Sequence, residues 1–430
     1  MDLNKRDAMI SELAQITPRY AYNCKEFDPE KSPVYYSGPY WDERELEYAI
    51  KALLTGKWLV SGEHVQRFQS KFAEYFETGH AHMVNSGSSA NLVMISALKK
   101  YFGWQDGDEV IVSPVGFPTT IAPLVQNGLK PVFVDIEMET LNFDVTKIED
   151  SITPKTVAIF VSPVLGNPPD LDFLDMLCKK HNLKLVGDNC DSIGTRYKGE
   201  HINNYYVAWS CSFYPAHHIS TGEGGMVCSN IEEIINQARS FSWWGRDCHC
   251  VGAANLLSCG TCGNRFDTHL GTEYGVVDHK YIFTNMGYNL KPLDLQGAFG
   301  LAQMEKIDEI ELYRRINFSK FSELLTKYIP NIRIAATVDG ADPCWFGVPI
   351  ICDTSEQKTK LVAFLEKNRI QTRNYFAGNI LIHPGYKHLG NAKDYPNANL
   401  ALSHVFFVGC PPHYNEVVFS YIEDVLKAWK

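Results

Sequence analysis

Residues 81–101, Ala-His-Met-Val-Asn-Ser-Gly-Ser-Ser-Ala-Asn-Leu-Val-Met-Ile-Ser-Ala-Leu-Lys-Lys-Tyr, read as a short apolar strand, a turn of small residues and a helix. The same strand-then-helix rhythm continues on both sides. Apolar runs suited to strands lie at 81–84, 110–113, 131–135, 157–162, 183–188, 207–213 and 225–228, and helical spacing covers 43–54, 64–76, 90–101 and 171–181. Apolar runs separated by helices predict an α/β fold around a mostly parallel, doubly covered sheet. From Leu293 a helical pattern runs through Leu325, followed by a strand–helix–strand reading at 345–351, 358–368 and 371–374 and a last helix at 415–429. The expected division is therefore residues 1–304, an N-terminal segment plus a large domain, and residues 305–430, a smaller α+β domain.

At 430 residues with 45% hydrophobic content, the chain exceeds what one core usually supports. A net charge of −10 with no long basic run argues against a nucleic-acid surface. No apolar run approaches the ~18 residues of a membrane span, and the start MDLNKRDAMISELAQ lacks the apolar core of a secretion signal, so a cytoplasmic location is expected. Of twelve cysteines, only those between 248 and 262 are dense, which in a reducing compartment reads as metal binding. The surrounding stretch, about 245–285, shows no clear period and is too long for an ordinary connection.

Three short motifs follow strand candidates. Asn85-Ser86-Gly87-Ser88-Ser89-Ala90-Asn91 can present backbone N–H groups to a phosphate, although a plain Ser/Gly helix cap would look the same. Phe117, within Gly116-Phe117-Pro118-Thr119-Thr120, can stack on a flat ligand or sit in the core. Asp188 closes an apolar run, where an acid can pair with a pyridinium nitrogen or serve as a loop acid.

The ordered set NSGSSAN (85–91), VGFPTT (115–120), VGDNCDSIGT (186–195), SFYPAHHISTGEGG (212–225) and GYNLK (287–291) resembles the sugar-modifying aminotransferases of the aspartate-aminotransferase fold, the type I pyridoxal-phosphate architecture. The resemblance covers nearly the whole chain from about residue 35. Counting from Ser212 through the Gly-Glu-Gly-Gly block, His217 rather than the adjacent His218 stands where that family carries its coenzyme lysine. An imidazole moves protons but cannot hold the coenzyme as a stable imine. The resemblance implies non-covalent coenzyme in the pyridoxamine 5′-phosphate (PMP) form, with His217 a base of near-neutral pKa. It further implies Gly87, Ser88 and Ser212 at the phosphate, Phe117 over the ring, Asp188 at the ring nitrogen and Asp191 near the ring hydroxyl. Asn289 would reach the phosphate from the neighbouring subunit of a homodimer. Arg373 and His218 are substrate-side candidates.

Within that family, the His-for-Lys exchange combined with the added cysteines resembles the CDP-4-keto-6-deoxyglucose 3-dehydratases of 3,6-dideoxyhexose synthesis. By spacing alone, Cys248, Cys250, Cys259 and Cys262 suit zinc. The resemblance instead implies a [2Fe–2S] cluster on Cys190, Cys248, Cys250 and Cys262, with Cys259 the alternative fourth ligand. It also implies a nucleotide-linked 4-keto-6-deoxyhexose substrate and an NAD(P)H-dependent reductase as electron donor. If the strand before it persists, Cys190 shares a face with Asp188. A cluster-free 3-dehydratase and a non-catalytic sugar-nucleotide sensor are the rival expectations.

Overall fold

A computed structural model describes residues 3–16, 27–56, 59–247, 265–267 and 270–429. Cys248, Cys250 and Cys262 lie outside the described residues, as do Cys24 and Cys259. The chain is built on a seven-stranded sheet with strands β1 (His80–Val84), β2 (Glu109–Val112), β3 (Lys130–Phe133), β4 (Thr156–Val161), β5 (Lys184–Asp188), β8 (Ala208–Ser212) and β9 (Gly225–Ser229). Their spatial order is β1-β9-β8-β5-β4-β2-β3, and β9 alone runs against its neighbours. Two short strands, β6 (Arg196–Tyr197) and β7 (Glu200–His201), pair with a third, β11 (Ala341–Asp342).

The strands are apolar without interruption because both faces are covered. Val110 and Val112 of β2, with Ala158 and Phe160 of β4, pack under helices Gly87–Phe102, Pro118–Gln126 and Glu232–Ser242. Ile111, Ile159 and Val161 point the other way, toward helices Glu63–Tyr75, Leu171–His181 and Asp294–Met304. On that second face, Phe68, Phe72 and Phe213 form a fully buried aromatic cluster at the end of β8. Truncating Phe72 to alanine would cost about 3–5 kcal/mol by the cavity left behind.

A second, antiparallel sheet, β10 (Ile332–Ile334), β12 (Gly347–Cys352), β14 (Val405–Gly409) and β13 (Thr372–Asn374), packs with helices Ile307–Tyr328, Ser355–Lys367 and Glu416–Lys427 around its own core.

The strand expectations match observed strands to within about two residues, and several details differ. The pattern from Leu293 through Leu325 is two helices, Asp294–Met304 and Ile307–Tyr328. They break at Lys306, whose buried ammonium lies 2.7 Å from Glu45 Oε1 and 3.3 Å from Asp42 Oδ2. Helices Leu3–Ile16, Pro118–Gln126, Glu232–Ser242 and Pro396–His404 and strand β14 were not anticipated. Strand β5 ends at Asp188, so the shared strand face expected for Asp188 and Cys190 is replaced by a turn in which the Cys190 N–H donates to Asp188 Oδ1 at 3.3 Å. Cys178, Cys211, Cys228, Cys344, Cys352 and Cys410 are buried, as expected of small apolar fillers.

Candidate active site

The C-terminal ends of β1, β2, β5 and β8 open into one cavity of about 840 Å³, closed on its other side by residues of the smaller sheet. Gly87, Ser88, Phe117, Asp188, Cys190, Asp191, Ser212, His217 and Arg373 all line it. This is where ligands sit in open α/β sheets.

The Ser/Gly turn caps a helix and also lines the cavity. Ser86 is the N-cap, its Oγ accepting from the Ser89 N–H at 3.1 Å, and the helix that begins at Gly87 points its free N-terminal amides at the cavity. The approach to β8 is tight enough to require glycine. A Cβ on Gly87 would lie 2.4 Å from Ser212 Cβ, and one on Gly225 would lie 2.4 Å from the Ser86 carbonyl oxygen. The result is a cradle of amides and hydroxyls with the positive end of a helix dipole behind it, which suits a phosphate.

Asp188 is buried, and its orientation is set from behind. Asn91 Nδ2 donates to Oδ2 at 2.8 Å, Thr120 Oγ1 donates to the same oxygen at 2.7 Å, and Ser210 Oγ in turn donates to Asn91 Oδ1 at 2.5 Å. These groups hold the carboxylate at the cavity wall, where it can face a cationic ring nitrogen. Phe117 is not a core residue. It is half exposed at the N-cap of helix Pro118–Gln126, with its ring edge-to-face with Phe376 at 6.2 Å.

His217 lies between Asp191 and Phe346, its Nδ1 3.5 Å from Asp191 Oδ1 and its ring centroid 5.2 Å from that of Phe346. Nδ1 is buried and makes no hydrogen bond shorter than that contact. The near-neutral pKa expected for His217 is corrected: burial, with Arg314 behind it, pulls the imidazole down to about 3. Burial and the neighbouring Asp188 push Asp191 up to about 7. In the protein alone, the imidazole is therefore unprotonated near neutral pH. Among the described residues, no lysine lines the cavity. Lys184 lies over Phe102 and Lys198 pairs with Asp172.

The remaining candidates divide. Arg373 lies at the cavity wall, its guanidinium 3.9 Å from the Tyr36 ring centroid. The substrate role expected for His218 does not fit its position: it is buried, with Nε2 2.8 Å from the Cys344 carbonyl oxygen, and does not line the cavity. Asn289 is outside its own chain's cavity and accepts from Lys291. Asp278 pairs with Arg265 at 2.6 Å. Cys190 is a free thiol at the cavity wall, and no three-residue metal cluster exists among the described residues. Asn91 and Thr120 lie inside quoted motifs, but nothing in the chain order showed that both reach Asp188. Tyr36, Tyr214, Phe346 and His383, also in the lining, had no signal beyond ordinary aromatic spacing.

The DegT/DnrJ/EryC1/StrS aminotransferase family matches residues 40–428, and the chain belongs to it. It is 39% identical over 401 residues to a dTDP-4-dehydro-2,6-dideoxy-D-glucose 3-dehydratase of Saccharopolyspora spinosa, covering 91% of this chain and 86% of the relative. It is 37% identical over 423 residues to the lipopolysaccharide biosynthesis protein RfbH of Salmonella typhimurium, covering 96% and 95%. A solved Escherichia coli GDP-4-keto-6-deoxy-D-mannose 3-dehydratase with bound hydrated PLP superposes with a TM-score of 0.79 at 28% identity, covering 92% of this chain and 99% of the other. A structure of a GDP-4-keto-6-deoxymannose 3-dehydratase holding a trapped PLP–glutamate geminal diamine matches equally well, at TM-score 0.79 and 28% identity over 92% and 100% of the two chains. These neighbours share the α/β architecture with its mostly parallel central sheet.

Proposed function

We propose that this family member is a nucleotide-sugar 3-dehydratase that uses pyridoxamine or pyridoxal phosphate held non-covalently, and that its substrate is CDP-4-keto-6-deoxy-D-glucose. The observation that carries the reading is His217, with no lysine among the described residues, at the wall of a cavity that also presents a cradle suited to a phosphate and a fixed carboxylate. The residues fit the coenzyme. Gly87, Ser88 and Ser212 would hold the phosphate, Phe117 would cover the ring and Asp188 would face its nitrogen. When bound, the coenzyme supplies an amine for a sugar ketone and an electron-withdrawing ring that acidifies the adjacent carbon.

Every other step belongs to this chain. His217, unprotonated at neutral pH, would be the group that accepts a proton at its ring nitrogen, and Asp191 beside it would support the ring so charged. Arg373, at the rim, binds the nucleotide's diphosphate. The aromatic walls from Phe117, Phe346 and Phe376 limit water around the reacting carbons. The net reaction consumes the 4-keto-6-deoxyhexose, NAD(P)H and a proton and yields the 3-deoxy sugar, NAD(P)⁺ and water.

The reading includes a [2Fe–2S] cluster on Cys190, Cys248, Cys250 and Cys262 that relays the two electrons from a separate NAD(P)H-dependent reductase. Its support is the free Cys190 thiol at the cavity wall together with the density of cysteines between 248 and 262 in the sequence. The reading also includes a homodimer with shared sites. That is supported by Asn289 lying outside its own cavity and by the neighbouring apolar groups Tyr281, Phe283 and Met286, which are exposed to 63%, 53% and 95%.

A second reading, a cluster-free 3-dehydratase that regenerates its amine from glutamate, is favoured by the structural neighbour that traps PLP–glutamate. Protein purified without oxygen separates the two. The leading reading expects a coloured protein with about two iron and two sulfide per chain. A colourless protein containing zinc, or no metal, would remove the cluster and leave the second reading.

A further inference from the structure

We propose that Arg314 is a positioning residue that holds the His217 turn against the smaller sheet, and so acts on the chemistry proposed above through His217 rather than on substrate. Arg314 lies on helix Ile307–Tyr328 and is 1% exposed. Its Nη2 donates to the carbonyls of Ala216 at 3.4 Å and His217 at 3.2 Å, and its Nη1 donates to those of Trp345 at 3.3 Å and Phe346 at 3.2 Å. The guanidinium also faces the Phe346 ring at 5.8 Å, and that ring is the one packed on His217. Among the described residues, no carboxylate pairs directly with it; Asp191, on the far side of the His217 turn, acts on its charge only at longer range.

A buried guanidinium without a directly paired anion is expensive, by several kcal/mol after relaxation, and an apolar side chain would fill the same space at less cost. What the guanidinium adds is a rigid planar fork that takes carbonyls from two segments distant in sequence. One segment carries the proposed base; the other leads into β12. The His217 turn is then held from three directions: the Arg314 fork, Ser37 Oγ donating to the Ala216 carbonyl at 2.6 Å, and the His217 N–H donating to the Tyr214 carbonyl at 2.9 Å. His218 makes a parallel link, reaching the Cys344 carbonyl one residue before Trp345. Arg314 does not line the cavity, so whatever it does to the reaction passes through that turn.

The inference rests on the proposed coenzyme site, and its test reads the placement of residue 217 without using turnover. In a His217→Lys variant loaded with pyridoxal phosphate, borohydride reduction should fix the coenzyme covalently at residue 217, quantified by mass spectrometry. Adding Arg314→Met should cut the trapped fraction about tenfold or more, since a displacement near 1 Å is enough for such a loss. Non-covalent affinity for PMP, measured in the Arg314→Met single variant, should stay within about threefold because the phosphate cradle is untouched. Arg314→Lys keeps the charge without the fork and should fall between the two; it also serves if the methionine variant does not fold. Undiminished trapping in both double variants would overturn the positioning role alone. No trapping in the His217→Lys variant itself would overturn the coenzyme reading, and the inference with it.

Discussion

Gly87→Ala is expected to weaken coenzyme binding through its phosphate and through nothing else. The added methyl carbon would lie 2.4 Å from Ser212 Cβ, 2.9 Å from its Oγ and 3.1 Å from its Cα. Relaxed carbon–carbon contacts lie at about 3.5–4.0 Å, so the turn and the end of β8 must part by roughly 1 Å. Overpacking of this kind costs about 1–3 kcal/mol. The empty protein can relax the turn, but the phosphate needs the amides where they are, so the cost should appear as about 5- to 150-fold weaker binding. Fluorescence titration with PMP and with unphosphorylated pyridoxamine separates the contributions, because the second ligand should bind the variant nearly as it binds the parent. Gly103→Ala is the control: at φ 68 it strains a helix end, with nothing within 4 Å of the new carbon and no connection to the cavity. Unchanged PMP affinity in Gly87→Ala, or equal losses for both ligands, would refute the assignment of Gly87 and Ser212 to the phosphate.

Other consequences concern stability. Lys306→Met strands Glu45, which is fully buried, and should destabilise the protein by about 3–5 kcal/mol in urea unfolding, with much of that loss recovered when Glu45→Gln is added. His201 is held near pKa 4 by burial and by Arg196, below the ordinary 6.5, so the unfolded chain takes up more protons between those values. Stability from this group is complete above pH 6.5 and is lost as pH falls toward 4, by at most about 3 kcal/mol. His201→Leu should flatten that part of the stability–pH curve, and a curve of unchanged slope would contradict the assignment.

The large sheet was legible because each of its strands is buried on both faces, which leaves apolar runs with turn residues at their ends. Helix Pro118–Gln126 gives a weak pattern because Pro123 lies inside it, and Pro396–His404 because its buried positions, Ala398 and Ala401, are both small. Apolar periodicity continues smoothly past Lys306, so the break there is visible only once Glu45 and Asp42 are placed beside it. In the site, residues that follow strand ends were readable from local order: Gly87, Phe117, Asp188 and Ser212. The supports were not, because Asn91 and Thr120 meet Asp188, and Ser210 meets Asn91, across separations that only the sheet order explains. Arg314 reads in the chain as one more cation on a long helix. Its four carbonyl acceptors belong to segments brought together by the packing of the two sheets.

The claim on which the account depends is that this pocket removes the C3 hydroxyl and does not transfer an amine to C4. Protein prepared without oxygen, loaded with PMP and given a CDP-linked 4-keto-6-deoxyhexose with NADH and a reductase should yield a 3-deoxy sugar, identified by nuclear magnetic resonance. A 4-amino sugar with the C3 hydroxyl intact would contradict it.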